Sequence, residues 1–282
     1  MQGSPSSSDN SPATGAPISR RTAFVLTAGT LAGVAFSPTR ATASIRGEDL
    51  WFDVSFPRRL REESFTGRVY VFLAQAGVEP RTAVDWFNPP PMLAKDVQNL
   101  HPGSRISLSP RDPGTLVFPR DLGSRDLSGL HAQVVMRFNP RERDAAIGPG
   151  NACGPAAPIA AGRETTLTVD RLIESTPLPE SRWCRALSVR SELLSRFHGR
   201  DVAVQGMVLL PASYFDEPQR RYPVIFSIPG FSGTLRSGFR REPVQEQNPQ
   251  GVEFVRVTRD PSCPLGHHVC ADSANNGPWG TA

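Results

Sequence analysis

Four cysteines in 282 residues are too few to staple a fold of this length, so the chain is not a disulfide scaffold. Exported proteins of this size still carry one or two bridges, and spacing alone does not pair Cys153, Cys184, Cys263 and Cys270. No apolar run approaches the roughly 20 residues that span a bilayer as a helix. Arginines are scattered, and no basic run is interleaved with aromatics. The net charge of +4 therefore does not describe a nucleic-acid-binding face. Long helices are disfavoured by 28 prolines and 24 glycines, which favour short strands and many loops. No serine stands in Gly-x-Ser-x-Gly, the elbow that exposes a nucleophile on a strand-to-helix turn. With 38% hydrophobic and 21% charged residues, what is left is an ordinary globular composition, long enough for two domains.

The amino terminus suggests a compartment. Residues 1–18 are rich in Ser, Pro, Gly and Asn and are expected to be disordered. Arg20 and Arg21 then precede an apolar stretch, Ala23–Phe36, of signal-peptide length and diluted by Thr27, Gly29, Thr30 and Gly33. This weak hydrophobicity behind paired arginines resembles a twin-arginine export signal. Ala41-Thr42-Ala43 supplies small residues for cleavage after Ala43, which implies a periplasmic or extracellular protein. The plainer alternative is a disordered tail followed by a chance apolar stretch.

Residues 48–174 alternate with period two. Phe52, Val54 and Phe56 form one such series, Val69, Val71 and Leu73 a second, and Ala132, Val134 and Met136 a third. Turn residues separate the runs, so the pattern predicts half-buried antiparallel strands in a β-sandwich. Residues 175–195 are expected as a linker, with Ser191 capping a short helix that Gly199 stops. The texture then changes over residues 196–282. Val224–Ile228 is apolar apart from Ser227, as in strands covered on both faces.

That strand empties into Pro229-Gly230-Phe231-Ser232-Gly233. Acyl-transfer chemistry needs backbone N–H groups aimed where negative charge develops, and glycines let a chain turn to present them. The amides of Phe231 and Ser232 are the oxyanion-hole candidates, within a turn set by Gly230 and Gly233. Ser232 is not read as a nucleophile, because Thr234 stands where the elbow needs its second glycine. Cys263, His267, His268 and Cys270 raise the question of a metal. Pro264 and Gly266 forbid the regular helix that would gather them, so no metal is expected. His267, His268, Asp272 and Ser273 are candidates for a substrate mouth. A histidine there could donate to a substrate oxygen or hold the loop by bonding backbone. Asp272 and Ser273 could equally cap a turn, and both readings stay open.

Arg221–Gly233 together with Asp260–Gly280 resembles the esterase-D and feruloyl-esterase-like branch of the α/β-hydrolases. It is most similar to a bacterial group of esterases with an N-terminal β-domain. Phe197-His198-Gly199-Arg200 and the sandwich-like region are similar to that group too. The resemblance implies a β-sandwich followed by the first strands of an α/β-hydrolase sheet, and a small carboxylic ester as substrate. It implies no cofactor, no nucleic-acid partner and no membrane span once the signal is removed. The family's serine, acid and histidine would lie beyond Ala282, so the chain is expected to be truncated and inactive as it stands. Two positions depart from the family: Cys270, where a bulky aromatic is expected, and Arg259, a charge closing a strand that should be buried. The rival expectation is a secreted non-catalytic module, favoured if Trp51 or Trp86 lies exposed on a flat sandwich face.

Overall fold

A computed structural model describes residues 44–282 except Val84, Trp86, Ala161 and residues 247–249. The expected signal arginines Arg20 and Arg21, the cleavage residue Ala43, and Trp86 therefore lie outside the described residues. Everything described falls within one compact unit, Thr42–Ala282.

The alternating runs fold as their period requires. Strands β1 (Phe52–Ser55), β2 (Phe65–Gln75), β3 (Met92–Leu100), β4 (Arg105–Leu108), β5 (Thr115–Phe118), β6 (Leu130–Met136) and β7 (Thr165–Thr168) make two sheets. One has three strands in the order β4-β1-β7. The other has seven, running from β6 through β2 and β3 to β5 and extended beyond β6 by short pairings at residues 152–153, 157–158 and 171–172. Phe52 and Val54 of β1, Leu108 of β4 and Leu167 of β7 meet Val69, Val71, Leu73, Leu93, Val134 and Met136 in one core. Removing each such side chain from water is worth about 1.5–3 kcal/mol. Phe56, Phe65 and Phe138 close one end with ring centroids 5.1–6.5 Å apart.

The outer face of β6 is buried as well. Gln133 and Val135 lie there, and the loop of residues 137–151 folds back across Val135 and Cys153. The buried Gln133 amide is satisfied on both sides, donating to Gly154 O at 2.8 Å and Glu79 Oε1 at 3.1 Å and accepting from Arg81 N at 3.0 Å. An unpaired amide there would cost about 1–3 kcal/mol.

The rest of the described chain forms a four-stranded sheet. Its strands are β8 (Cys184–Arg190), β9 (Ala203–Leu209), β10 (Val224–Ser227) and β11 (Val255–Arg259). Their order is β8-β9-β11-β10, antiparallel except for the parallel pair β10/β11. The segment expected as a linker thus contains β8. Helix α1 (Glu192–His198) joins β8 to β9, with Ser191 Oγ accepting from Leu194 N and Gly199 closing it at φ 62°. That is the Ser N-cap and left-handed Gly C-cap of a short helix.

This region corrects the expected fold class. An α/β-hydrolase sheet is layered with helices on both faces, whereas the seven residues of α1 are the only α-helix among the described residues. The chain is built mostly of β-strands in several small sheets. One face of the four-stranded sheet is packed, by Cys184, Met207, Leu209, Leu235, Val244 and Phe254. On the other, Leu187, Val189, Val224 and Phe226 remain exposed. The apolar run of β10 implied cover on both sides, yet Val224, Ile225 and Phe226 are all exposed, so among the described residues neither face of this edge strand is covered. No helix among the described residues is long and apolar enough to cross a membrane, which says nothing of a β-barrel.

Candidate functional site

Because β10 and β11 are parallel, with Val224 opposite Val255 and Ser227 opposite Thr258, their carboxyl ends open on the same edge. Ligands of open sheets with parallel strands settle beyond such ends. The 229–233 turn leaves β10 there, and the 260–268 loop leaves β11 beside it. His267 ties the two: its Nδ1 accepts from Val269 N at 3.0 Å, which places the proton on Nε2, and Nε2 donates to Pro229 O at 3.0 Å.

Within the turn, Gly233 N donates to Gly230 O at 2.9 Å. Ser232 takes the left-handed conformation at φ 67°, which non-glycine residues adopt at a cost. Thr234 N is taken by Ser237 Oγ at 3.1 Å. Ser232 N has no protein acceptor among the described residues. Phe231, the other candidate donor, presents an exposed ring. The two glycines differ. A Cβ at Gly233 would lie 2.5 Å from Pro229 Cβ, whereas one at Gly230 would meet nothing within 4 Å.

The turn is also held from the loop that follows β6. Arg143 Nη1 donates to Gly233 O at 3.0 Å and Nη2 to Ser232 O at 2.9 Å. Arg137 Nη2 reaches Pro264 O at 3.4 Å, so the same loop after β6 touches both loops at the strand ends. Burial pushes the neighbouring Glu142 carboxyl above the usual carboxylate range, helped by Asp260 and Asp144 and opposed by Arg143.

The remaining candidates are engaged in holding the loop. His268 is 3% exposed and stacks on Trp279, rings 4.0 Å apart. Its Nδ1 accepts from Cys270 N and its Nε2 donates to Asp260 O, both at 3.0 Å. Burial holds its pKa below the ordinary histidine range, with Arg259 and His267 adding to the effect against the bond to Asp260. It stays neutral near pH 7, and its contribution to stability is lost as pH falls through the ordinary histidine range toward the lower folded value. Asp272 accepts from Gly280 N at 2.7 Å, from Thr281 N at 2.9 Å and from the Thr281 hydroxyl. That hydroxyl and the two amides keep its carboxyl below the usual range. Ser273 Oγ accepts from Asn276 N at 3.0 Å, closing the hairpin of residues 272–278.

Asp272 and Ser273 line a cleft of about 400 Å³ with Phe197, Ala274 and Pro278. The candidates thus separate, His267 with the 229–233 turn, Asp272 with Ser273 in the hairpin against α1, and His268 buried against Trp279. All four cysteines are free thiols, so neither of the bridges left open by composition forms.

Arg143, Arg137 and Glu142 escaped the sequence reading. Their signal is the Asn, Asp, Pro and Gly density of residues 139–151, which marks an ordered loop but not what it touches. No family model, curated protein or solved structure matches the chain.

Proposed function

We propose that the 229–233 turn and the 260–268 loop are the carbonyl-binding end of an exported carboxylic-ester hydrolase of the serine type, on a chain that carries no nucleophile of its own. One observation carries this reading: Ser232 is held left-handed, with its carbonyl bound by Arg143 and its amide unspent among the described residues, at the carboxyl ends of a parallel strand pair. A donor fixed before substrate arrives stabilises developing oxyanion charge without reorganisation, and one such donor is worth about 2.7–4 kcal/mol in enzymes that use it. No serine in the chain stands in an elbow sequence, so ester turnover is not expected from these 282 residues.

An oxyanion mimic tests the donor without needing a nucleophile. Titrating the ¹⁵N-labelled chain with a short alkylphosphonate is expected to move the Ser232 amide resonance downfield and saturably, ahead of amides elsewhere. Absence of a saturable shift anywhere in residues 229–234 would remove the basis of the proposal.

A second reading has its own support. Trp51 is 53% exposed and Phe87 94% exposed, which suits a secreted, non-catalytic module that binds a glycan or a protein. Retention on a polysaccharide gel that is lost in Trp51→Ala, together with a silent phosphonate titration, would favour it.

A further inference from the structure

The loop between β6 and the pairing at residues 152–153 is braced far beyond what a connection needs. Asn151, fully buried, accepts from Asn139 N at 2.9 Å and donates to Asp144 O at 3.3 Å and Ala145 O at 3.2 Å. Asn139 donates to Pro149 O at 2.9 Å and accepts from Arg141 N at 3.1 Å. Asp144 Oδ1 accepts from Ala146 N at 2.8 Å and Ile147 N at 3.2 Å. Gly148 admits no side chain, since a Cβ would sit 2.3 Å from Asp144 O. The residue held out by this frame is Arg143. No carboxylate lies within ion-pair distance of it among the described residues, and its guanidinium donates to two consecutive main-chain carbonyls of the turn. A planar fork matches two such acceptors at fixed spacing, which a lysine ammonium does not.

We propose that Arg143 is a positioning residue through which the β-sandwich sets the conformation of the carbonyl-binding turn. The inference rests on the reading of that turn given above, but its geometry stands apart from any ester chemistry. Binding the carbonyls of Ser232 and Gly233 to one rigid cation fixes the peptide planes on either side of Gly233. The left-handed Ser232 is thereby retained. The sandwich is then a working part of the site, and the 229–233 turn holds its shape only while joined to it.

Hydrogen exchange followed by mass spectrometry tests this in the 282-residue chain. In Arg143→Ala and Arg143→Gln, exchange of peptides spanning residues 229–238 is expected to rise about tenfold or more, the scale of losing hydrogen bonds to a charged group. Peptides from β2 and β6 should be unchanged. Millimolar methylguanidinium is expected to restore protection in Arg143→Ala where methylammonium does not, and Arg143→Lys is not expected to rescue it. A merely stabilising arginine would show no such discrimination between cations. Unchanged exchange at 229–238 would overturn the proposal, as would acceleration shared equally with the sandwich core or rescue by both cations alike. None of these readouts needs an ester or a bound phosphonate, so the positioning role and the ester reading fail separately.

Discussion

Gly233→Ala is expected to dismantle the 229–233 turn, while Gly230→Ala leaves it standing. Both glycines frame the same motif, and a sequence pattern gives them equal weight. The structure separates them. A methyl at position 233 would fall 2.5 Å from Pro229 Cβ, 2.9 Å from Gly230 O and 3.1 Å from Pro229 Cγ. A proline ring cannot swing aside, so the turn must open and lose the Gly233 N to Gly230 O bond. The carbonyl acceptors of Arg143 then move off its fork. Overpacking of this kind costs about 1–3 kcal/mol, and a lost charge-assisted bond adds to it. At position 230 nothing lies within 4 Å of the added methyl, and the change is expected to stay within about 0.5 kcal/mol. Thermal denaturation together with the amide spectrum of residues 229–238 measures both. Equal effects of the two substitutions would mean that steric closure at Gly233 does not shape the turn.

The second large effect concerns the uncovered face of the four-stranded sheet. Leu187 and Val189 of β8, Val204 and Val208 of β9, Val257 of β11 and Phe226 of β10 share one side by register. All of these but Val208 line an apolar hollow of about 380 Å³ rimmed by Arg190 and Arg259. Val189 is 54% and Phe226 65% exposed, and β10 is an edge strand flanked by Pro223 and Pro229. The prolines blunt the edge against further pairing, but the face beside it remains adhesive. The double substitution Val189→Lys with Phe226→Lys is therefore expected to cut binding of a hydrophobic dye several-fold. It should also raise the concentration at which the chain begins to associate, read by light scattering. The melting temperature should stay nearly unchanged, because the two side chains are already half in water. A marked fall in melting temperature would show that something covers this face in solution.

How far the sequence speaks for the fold depends on the range of the interaction that decides each element. Period two in Phe52-Asp53-Val54 and in Val69-Tyr70-Val71 is local, and the strands are where it places them. The Ser191 cap and the Gly199 stop of α1 are local too. So is the breaking of the chain after β10 at Pro229-Gly230. The layering of the second sheet was read instead from resemblance and from the apolar run of β10. Neither contains the helices that would form the layers, and here the structure departs from expectation. The site divides the same way. His267 and His268 could be placed on a loop from Pro264 and Gly266, but whether their nitrogens face solvent or backbone depends on Pro229 and Asp260 across the loop. Arg143 was invisible for a stronger reason. It is one of many scattered arginines, and its two acceptors lie 90 and 89 positions away.

The proposed carbonyl-binding turn, on a chain with no serine in an elbow sequence, predicts no ester turnover. Hydrolysis of p-nitrophenyl butyrate by the 282-residue chain tests that most directly. The expected result is release of p-nitrophenol at the uncatalysed rate, the same for the unaltered chain and for Ser232→Ala. Turnover clearly above background that Ser232→Ala abolishes would contradict the account, because it would make the serine of the turn the nucleophile rather than a donor.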